Sequence, residues 1–263
     1  MTDVTKFAEA LVHEDRVGYD TTWDTINSAK NRAELEALHR TCETAKQRAW
    51  YAYAKGVWQD DPVQLFSRTS LSGYALFLRL LEVADALNDV VQTLGTRWSA
   101  VAGADAAARF QRAPVKTPKR AIEKRWRSYN GRPENLVDIV RTSIVCGEVA
   151  EIHAVMQAIV ADDTVEIVRI KNRFAPHHDA RLTAGYRDLA LNLKLTPRPA
   201  HPAHAEAIFE VQIQIQDIYN IKSVEGHVRF WTIFHEFSAL HTPNTTPRLV
   251  CAERCIVPVL VRY

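Results

Sequence analysis

Ile208-Phe209-Glu210-Val211-Gln212-Ile213-Gln214-Ile215 alternates apolar and polar side chains without a break. Successive side chains of a strand point to opposite faces. Phe209, Val211, Ile213 and Ile215 therefore share one face, and Glu210, Gln212 and Gln214 the other. Upstream, Gly185-Tyr186-Arg187-Asp188-Leu189-Ala190-Leu191-Asn192-Leu193 repeats the pattern. Its leucines lie on one side, and Tyr186, Asp188, Ala190 and Asn192 on the other. The Pro/His-rich segment Thr196 to His204 falls between the two and reads as a hairpin loop. Paired about that loop, the strands offer one apolar face for packing. A solvated outer face would be rich in Lys, Thr and Arg; carboxylates, amides and one aromatic suit a site floor.

Further out, Ile139 to Cys146 is strand-like, Ala150 to Val160 has helical spacing and Val165 to Ile170 alternates. Ile218 to Phe237 returns to helical spacing. This order predicts an α+β fold: a mixed β-sheet with flanking helices, largely exposed on one face. A basic helix from about Pro118 to Tyr129 leads into the turn Asn130-Gly131-Arg132-Pro133. The residues before it read as helical, with apolar stripes over Asn31 to Lys55 and Leu71 to Leu94, interrupted at Asp60-Asp61-Pro62. The expected organisation is a helical N-terminal region over 1–110 and an α+β domain over 111–263, with Trp23, Trp50, Trp58 and Trp98 in the core.

With 263 residues, 47% of them hydrophobic, the chain can bury a sizeable core. A net charge of +2 excludes a chain-wide electrostatic nucleic-acid binder. The basic residues cluster, however: Arg109, Arg112, Lys116, Lys119, Arg120, Lys124, Arg125 and Arg127 face only Glu123. Such a run coats a solvated helix or collects phosphate oxygens. Cys42, Cys146, Cys251 and Cys255 form no C-x-x-C pair, which argues against a zinc ribbon or redox motif and suits reduced, packed thiols in the cytoplasm. Neither a secretory signal nor an apolar run of about 18 residues is evident, so no membrane partner is expected.

Asp138 stands at the mouth of the first predicted strand. With Glu210 it offers two carboxylates, a donor set that suits Mg²⁺ and leaves room for phosphates. Lys116, Arg120 and Lys124 are spaced by four, which places them on one helix face, and Lys119 adds a further charge beside them. Arg169, Lys171 and Arg173 form a second basic group.

Taken in order, these segments resemble the RelA/SpoT-type synthetase domain. Lys116-Thr-Pro-Lys-Arg-Ala-Ile-Glu-Lys124 is similar to its basic helix, and Asp138-Ile-Val-Arg141 to its metal-aspartate strand. Lys171-Asn-Arg-Phe174 and Gly185-Tyr186-Arg187-Asp188 resemble its guanine-facing loop, Glu210-Val211-Gln212-Ile213 its E-x-Q-I strand, and Gly226-His227 its closing helix. The resemblance implies a nucleotidyltransferase-like synthetase fold and a nucleotide pyrophosphokinase that moves the β,γ-pyrophosphate of ATP to a ribose 3′-hydroxyl. It implies Asp138 and Glu210 as Mg²⁺ ligands, Glu210 also as activator of the hydroxyl, and Gln212 as a group orienting the acceptor. Lys116, Lys124, Arg141 and Arg120 would hold ATP phosphates. Tyr186, Lys171, Arg173 and Asp188 would bind the acceptor, GTP or GDP. The family pattern is broken at Pro114, Arg120 and Ala190, where arginine, serine and histidine are expected. Other acceptors therefore stay open, an adenosine nucleotide or a tRNA 3′ end as in toxin-like members, as does a binding module that has lost catalysis. No H-D hydrolase signature occurs in the N-terminal half.

Overall fold

The computed structural model describes residues 3–47, 73–129, 131–183, 185–196 and 207–222. In chain order its helices and strands are α1 (Asp3–Ile26), α2 (Ala29–Lys46), α3 (Gly73–Val101), α4 (Ala104–Ala108), α5 (Pro118–Tyr129), β1 (Arg141–Cys146), α6 (Val149–Ala161), β2 (Val165–Asn172), β3 (Leu189–Leu195), β4 (Phe209–Ile215) and α7 (Gln216–Asn220). Short 3₁₀ turns occupy Pro133–Asn135 and Ala180–Thr183. The expected Asp60-Asp61-Pro62 break, Trp50, Trp58, the Pro/His loop beyond Thr196, Gly226-His227, and Cys251 and Cys255 lie outside the described residues.

The four strands form one mixed sheet in the order β1-β4-β3-β2. β4 runs parallel to β1 and antiparallel to β3, and β2 pairs antiparallel with β3. The alternation that suggested β4 explains its central place. Phe209, Val211 and Ile213 are fully buried on one face, each stabilising the fold by about 1.5–3 kcal/mol. Leu191 and Leu193 of β3 and Ile144 of β1 continue that apolar layer. The outer edge of β1 is partly covered by Gln111, which exchanges backbone hydrogen bonds with Ser143 at 3.1 and 3.4 Å.

The opposite face departs from the expectation of a largely exposed surface. Ala190 and Asn192 of β3 are buried, as is Gln214, while Glu210 and Gln212 are half-buried. The segment Leu136 to Val140, itself buried, comes over this face: the Asn192 amide reaches the Val137 carbonyl at 3.5 Å. The polar face is thus a partly roofed recess.

Two compact units divide the chain. The larger comprises Arg32–Ala175 and Asp188–Ile215. The described residues of the smaller are 3–31, 176–183, 185–187 and 216–222. Residue 110, the expected boundary, falls inside the larger unit. There α3 packs on β1 and α6, and its Leu87, Val91, Leu94 and Trp98 are buried. A buried glutamine on the same helix reinforces the join. Gln92 donates to the Arg141 carbonyl at 3.0 Å and the Ala113 carbonyl at 3.2 Å, and accepts from Thr142 Oγ1 at 3.0 Å. Trp98 donates to Asp162 at 2.8 Å. The stripe ends before the helix does, since Tyr74 in the first turn is 66% exposed. Among the described residues no helix is long and apolar enough to cross a membrane.

Candidate functional site

The site starts where α5 starts. Thr117 precedes the helix and Pro118 takes its first position, where a missing N–H is harmless. Thr117 Oγ1 accepts from the Arg120 amide at 3.4 Å. Lys116 therefore lies outside the helix, not on the helical face expected from its spacing. Its own amide instead donates to the Ile139 carbonyl at 2.9 Å, which lays it beside the Asp138 segment. Arg120 pairs with Glu123 on its own helix at 3.5 Å, a half-exposed pair of little energetic weight.

Asp138 is buried, and Oδ2 of its carboxylate meets two ammonium groups, Lys116 and, at 2.5 Å, Lys124. Oδ1 is buried with no hydrogen-bond partner among the described residues. Burial alone would raise this acid, but the charges of Lys124 and Lys116 outweigh it and hold the carboxyl at about 2. The two lysines respond in opposite directions. Burial lowers Lys116 to about 8, only partly offset by Asp138. Burial also opposes the charge on Lys124, yet the attraction of Asp138, Tyr129 and Glu210 prevails and its pKa rises. The difference follows the neighbouring charges: Lys124 and Arg141 lower Lys116 further, whereas Tyr129 and Glu210 add to the pull of Asp138 on Lys124. Tyr129, at the end of α5, has its ring 5.6 Å from Lys124 Nζ, and burial pushes its phenol up.

The sheet supplies the other half. Its register aligns Arg141, Glu210, Asn192 and Arg169 in one row across β1, β4, β3 and β2. The next row on the same face is Ser143, Gln212, Ala190 and Lys171. Glu210 is anchored by its amide, which donates to the Val140 carbonyl at 3.0 Å, and its carboxylate accepts from Gln212 Nε2 at 2.8 Å. Arg169 Nε donates to Asn192 Oδ1 at 2.8 Å. Desolvation, then the like charges of Arg169 and Arg173, lower Lys171 to about 8. Lys171 is nevertheless an exposed residue, so water blunts the first cause and the neighbouring guanidiniums are the firmer one. Glu210 attracts both Lys124 and Lys171, which ties the sheet and helix halves of the site together.

The other residues singled out from the sequence have the following surroundings. Arg141 is exposed at the start of β1, opposite Glu210, and its charge reaches Lys116. Arg173 ion-pairs with the fully buried carboxylate of Asp188, and its amide donates to the Asp188 carbonyl at 2.9 Å. Tyr186 belongs to the smaller unit. There its ring is buried edge-on against Tyr19, with centroids 5.8 Å apart, and Lys222 Nζ lies 3.3 Å from its hydroxyl. In the same unit the Arg187 guanidinium lies 4.2 Å from the centre of the Trp23 ring. Sequence reasoning missed Tyr129, which no spacing rule marks. It noted Asn192 only as one polar residue of a face; its parity with Glu210 was the available signal.

The residues present suit a hard divalent cation. One buried carboxylate oxygen of Asp138 has no donor among the described residues, and a second carboxylate, Glu210, also attracts Lys124. Mg²⁺ is commonly held by one or two carboxylates together with substrate phosphates. Among the described residues no cluster of three or more His, Cys, Asp or Glu forms a cage independent of substrate.

Fold and site together define an α+β protein in which Glu210 of the mixed sheet and Asp138 of the segment before β1 lie among lysines and arginines. No family model and no curated protein matches the chain. Among solved structures it is similar to the small alarmone synthetase 1 from Bacillus subtilis bound to its product pppGpp, with 18% identity and a TM-score of 0.39 over 70% of this chain and 88% of that one. A GTP pyrophosphokinase family protein from Streptococcus pneumoniae is similar at 14% identity and a TM-score of 0.43, over 73% of this chain and 91% of that one. The complex between the Type VI effector Tas1 and its immunity protein is matched at 15% identity and a TM-score of 0.36, over 74% of this chain and all of that one.

Proposed function

We propose that this chain is a nucleotide pyrophosphokinase that transfers the β,γ-pyrophosphate of ATP to the 3′-hydroxyl of a second nucleotide. One observation carries the reading: Asp138 Oδ1 is buried with no partner among the described residues, while Lys116 and Lys124 meet Oδ2 of the same carboxylate and Glu210 attracts Lys124. An unmet buried polar atom costs about 1–3 kcal/mol, a cost that a cation bound at Oδ1 would offset. Asp138 and Glu210 would hold Mg²⁺, which supplies charge neutralisation at the phosphates. Lys116, Lys124 and Arg141 bind phosphate oxygens and stabilise the charge that spreads over them during transfer. Glu210 accepts the proton of the attacking hydroxyl, and Gln212, hydrogen-bonded to it, fixes the carboxylate's orientation. The new bond joins the acceptor oxygen to the β-phosphorus; the bond from that phosphorus to the oxygen shared with the α-phosphate breaks, and AMP leaves.

A guanine nucleotide, GTP or GDP, is the first acceptor to test. A second reading, an RNA 3′ end, is favoured by the exposed Arg112, Lys119 and Arg132 and by Trp126, which is 64% exposed on α5. Such a surface suits phosphates and an unstacked base. The deciding experiment incubates the full chain with γ-labelled ATP and GTP, GDP, ATP or tRNA, and follows AMP release and label transfer. Glu210→Gln keeps the shape but cannot accept the proton. It is expected to fold normally and lose on the order of a hundredfold or more in rate. Equal turnover by wild type and Glu210→Gln would remove Glu210 from the chemistry, and no transfer to any acceptor would leave a binding module.

A further inference from the structure

Asn192 sits in the row that holds Glu210, with Glu210 beside it on one strand and Arg169 on the other. It is 2% exposed. Asparagine is a poor strand former, and a buried amide costs stability unless its polar atoms are met. Here both ends are used. Oδ1 accepts from Arg169 Nε at 2.8 Å, and Nδ2 donates toward the Val137 carbonyl at 3.5 Å. Val137 directly precedes Asp138, whose Oδ1 is buried without a partner among the described residues. One side chain therefore joins the strand carrying Arg169 to the segment carrying Asp138, and it does so next to Glu210. Packing alone gives no reason for an amide here, since Leu191 and Leu193 already fill the apolar face of the same strand.

We infer that Asn192 is a positioning residue of the phosphate site, holding Arg169 and the Asp138 segment at a fixed separation; this rests on reading the site as one for Mg²⁺ and ATP. Asn192 acts through its two partners and not on the reacting atoms. Without it the Arg169 guanidinium loses this acceptor and the Val137 carbonyl loses this side-chain donor. Supporting contacts of this kind typically alter affinity or activity by about ten- to a hundredfold.

The test is calorimetric binding of Mg²⁺·ATP to the full chain as wild type, Asn192→Leu, Arg169→Met and the double variant, with melting temperatures and steady-state kcat and KM for ATP alongside. Asn192→Leu is expected to weaken binding about tenfold. The double variant should lose less than the two single losses combined, because Asn192 works partly through Arg169. Asn192→Ser, whose hydroxyl is too short to span both partners, keeps the measurement readable if the leucine is not tolerated. Binding equal to wild type with only a lower melting temperature would make Asn192 structural and overturn the inference, as would fully additive losses. If wild type binds Mg²⁺·ATP but transfers nothing to any acceptor, the transfer reading fails, and the binding comparison still decides the role of Asn192.

Discussion

Lys116 and Lys171 both lie near 8 instead of their usual 10.5. In the free protein they are charged below that pH and neutral above it, and neutral amines do not attract phosphate. The proposed reaction should therefore show kcat/KM for ATP falling above about pH 8, since that ratio reports groups of the free enzyme. Unfolding would not be the cause. For Lys116, whose folded pKa is lowered, the unfolded chain binds more protons between about 8 and 10.5, so this group's contribution to stability rises with pH there. Asp138 has a dependence of the same sign, in the acid range. Its folded value of about 2 lies below the ordinary 3.8, so the stability from its pairing is present above 3.8 and is lost as the pH falls through 2. Arginine stays charged throughout, so Lys116→Arg combined with Lys171→Arg should move the alkaline limb of the ATP profile upward. A limb still at 8 in that variant would assign it to another group.

At the scale of the element, β4 separates packing from chemistry by parity alone. Phe209 and Glu210 are neighbours in sequence, yet one is fully buried in the apolar layer and the other looks into the polar recess. Phe209→Ala should cost roughly 3–5 kcal/mol, the transfer loss plus the cavity left in a layer that cannot fully close. The variant's activity, normalised to the folded fraction in a denaturant titration, should stay near wild type. A large loss per folded molecule with little loss of stability would mean that the two faces are not independent. α5 shows a different local control: the Thr117-Pro118 start releases Lys116 from the helix, while Lys124, further along it, reaches the same carboxylate.

At the scale of the whole molecule, α3 is part of the sheet's own core. Leu87, Val91, Leu94 and Trp98 are buried there, and Gln92 binds backbone from two later segments, at Ala113 and Arg141. A fragment beginning at residue 111 would expose that apolar surface and leave those backbone groups unmet. It should show no cooperative thermal transition by circular dichroism, whereas the full chain should. A sharp transition in the fragment would show that the residues before 110 are dispensable to the sheet.

Local patterns were legible because their causes are local. The period-two alternation at 208–215 follows from side chains that must leave a strand on alternate sides, so the residues sharing a face with Glu210 could be read directly. The start of α5 was equally written in Thr117-Pro118, although the four-residue spacing of Lys116, Arg120 and Lys124 suggested one helix face. The roof over the polar face was not legible, because it depends on Val137 meeting Asn192, residues brought together only when the sheet closes. The same holds for Gln92, whose partners lie in the segment before α5 and in β1, and for Asp138, whose carboxylate gathers Lys116 and Lys124 from either side of a helix start. Backbone geometry and solvent preference act on neighbours and so write themselves into the sequence as period and composition. Desolvation and charge pairing act between residues far apart in the chain, and only the folded arrangement sets which carboxylate is buried, which lysine is weakened and which amide spans the gap between them.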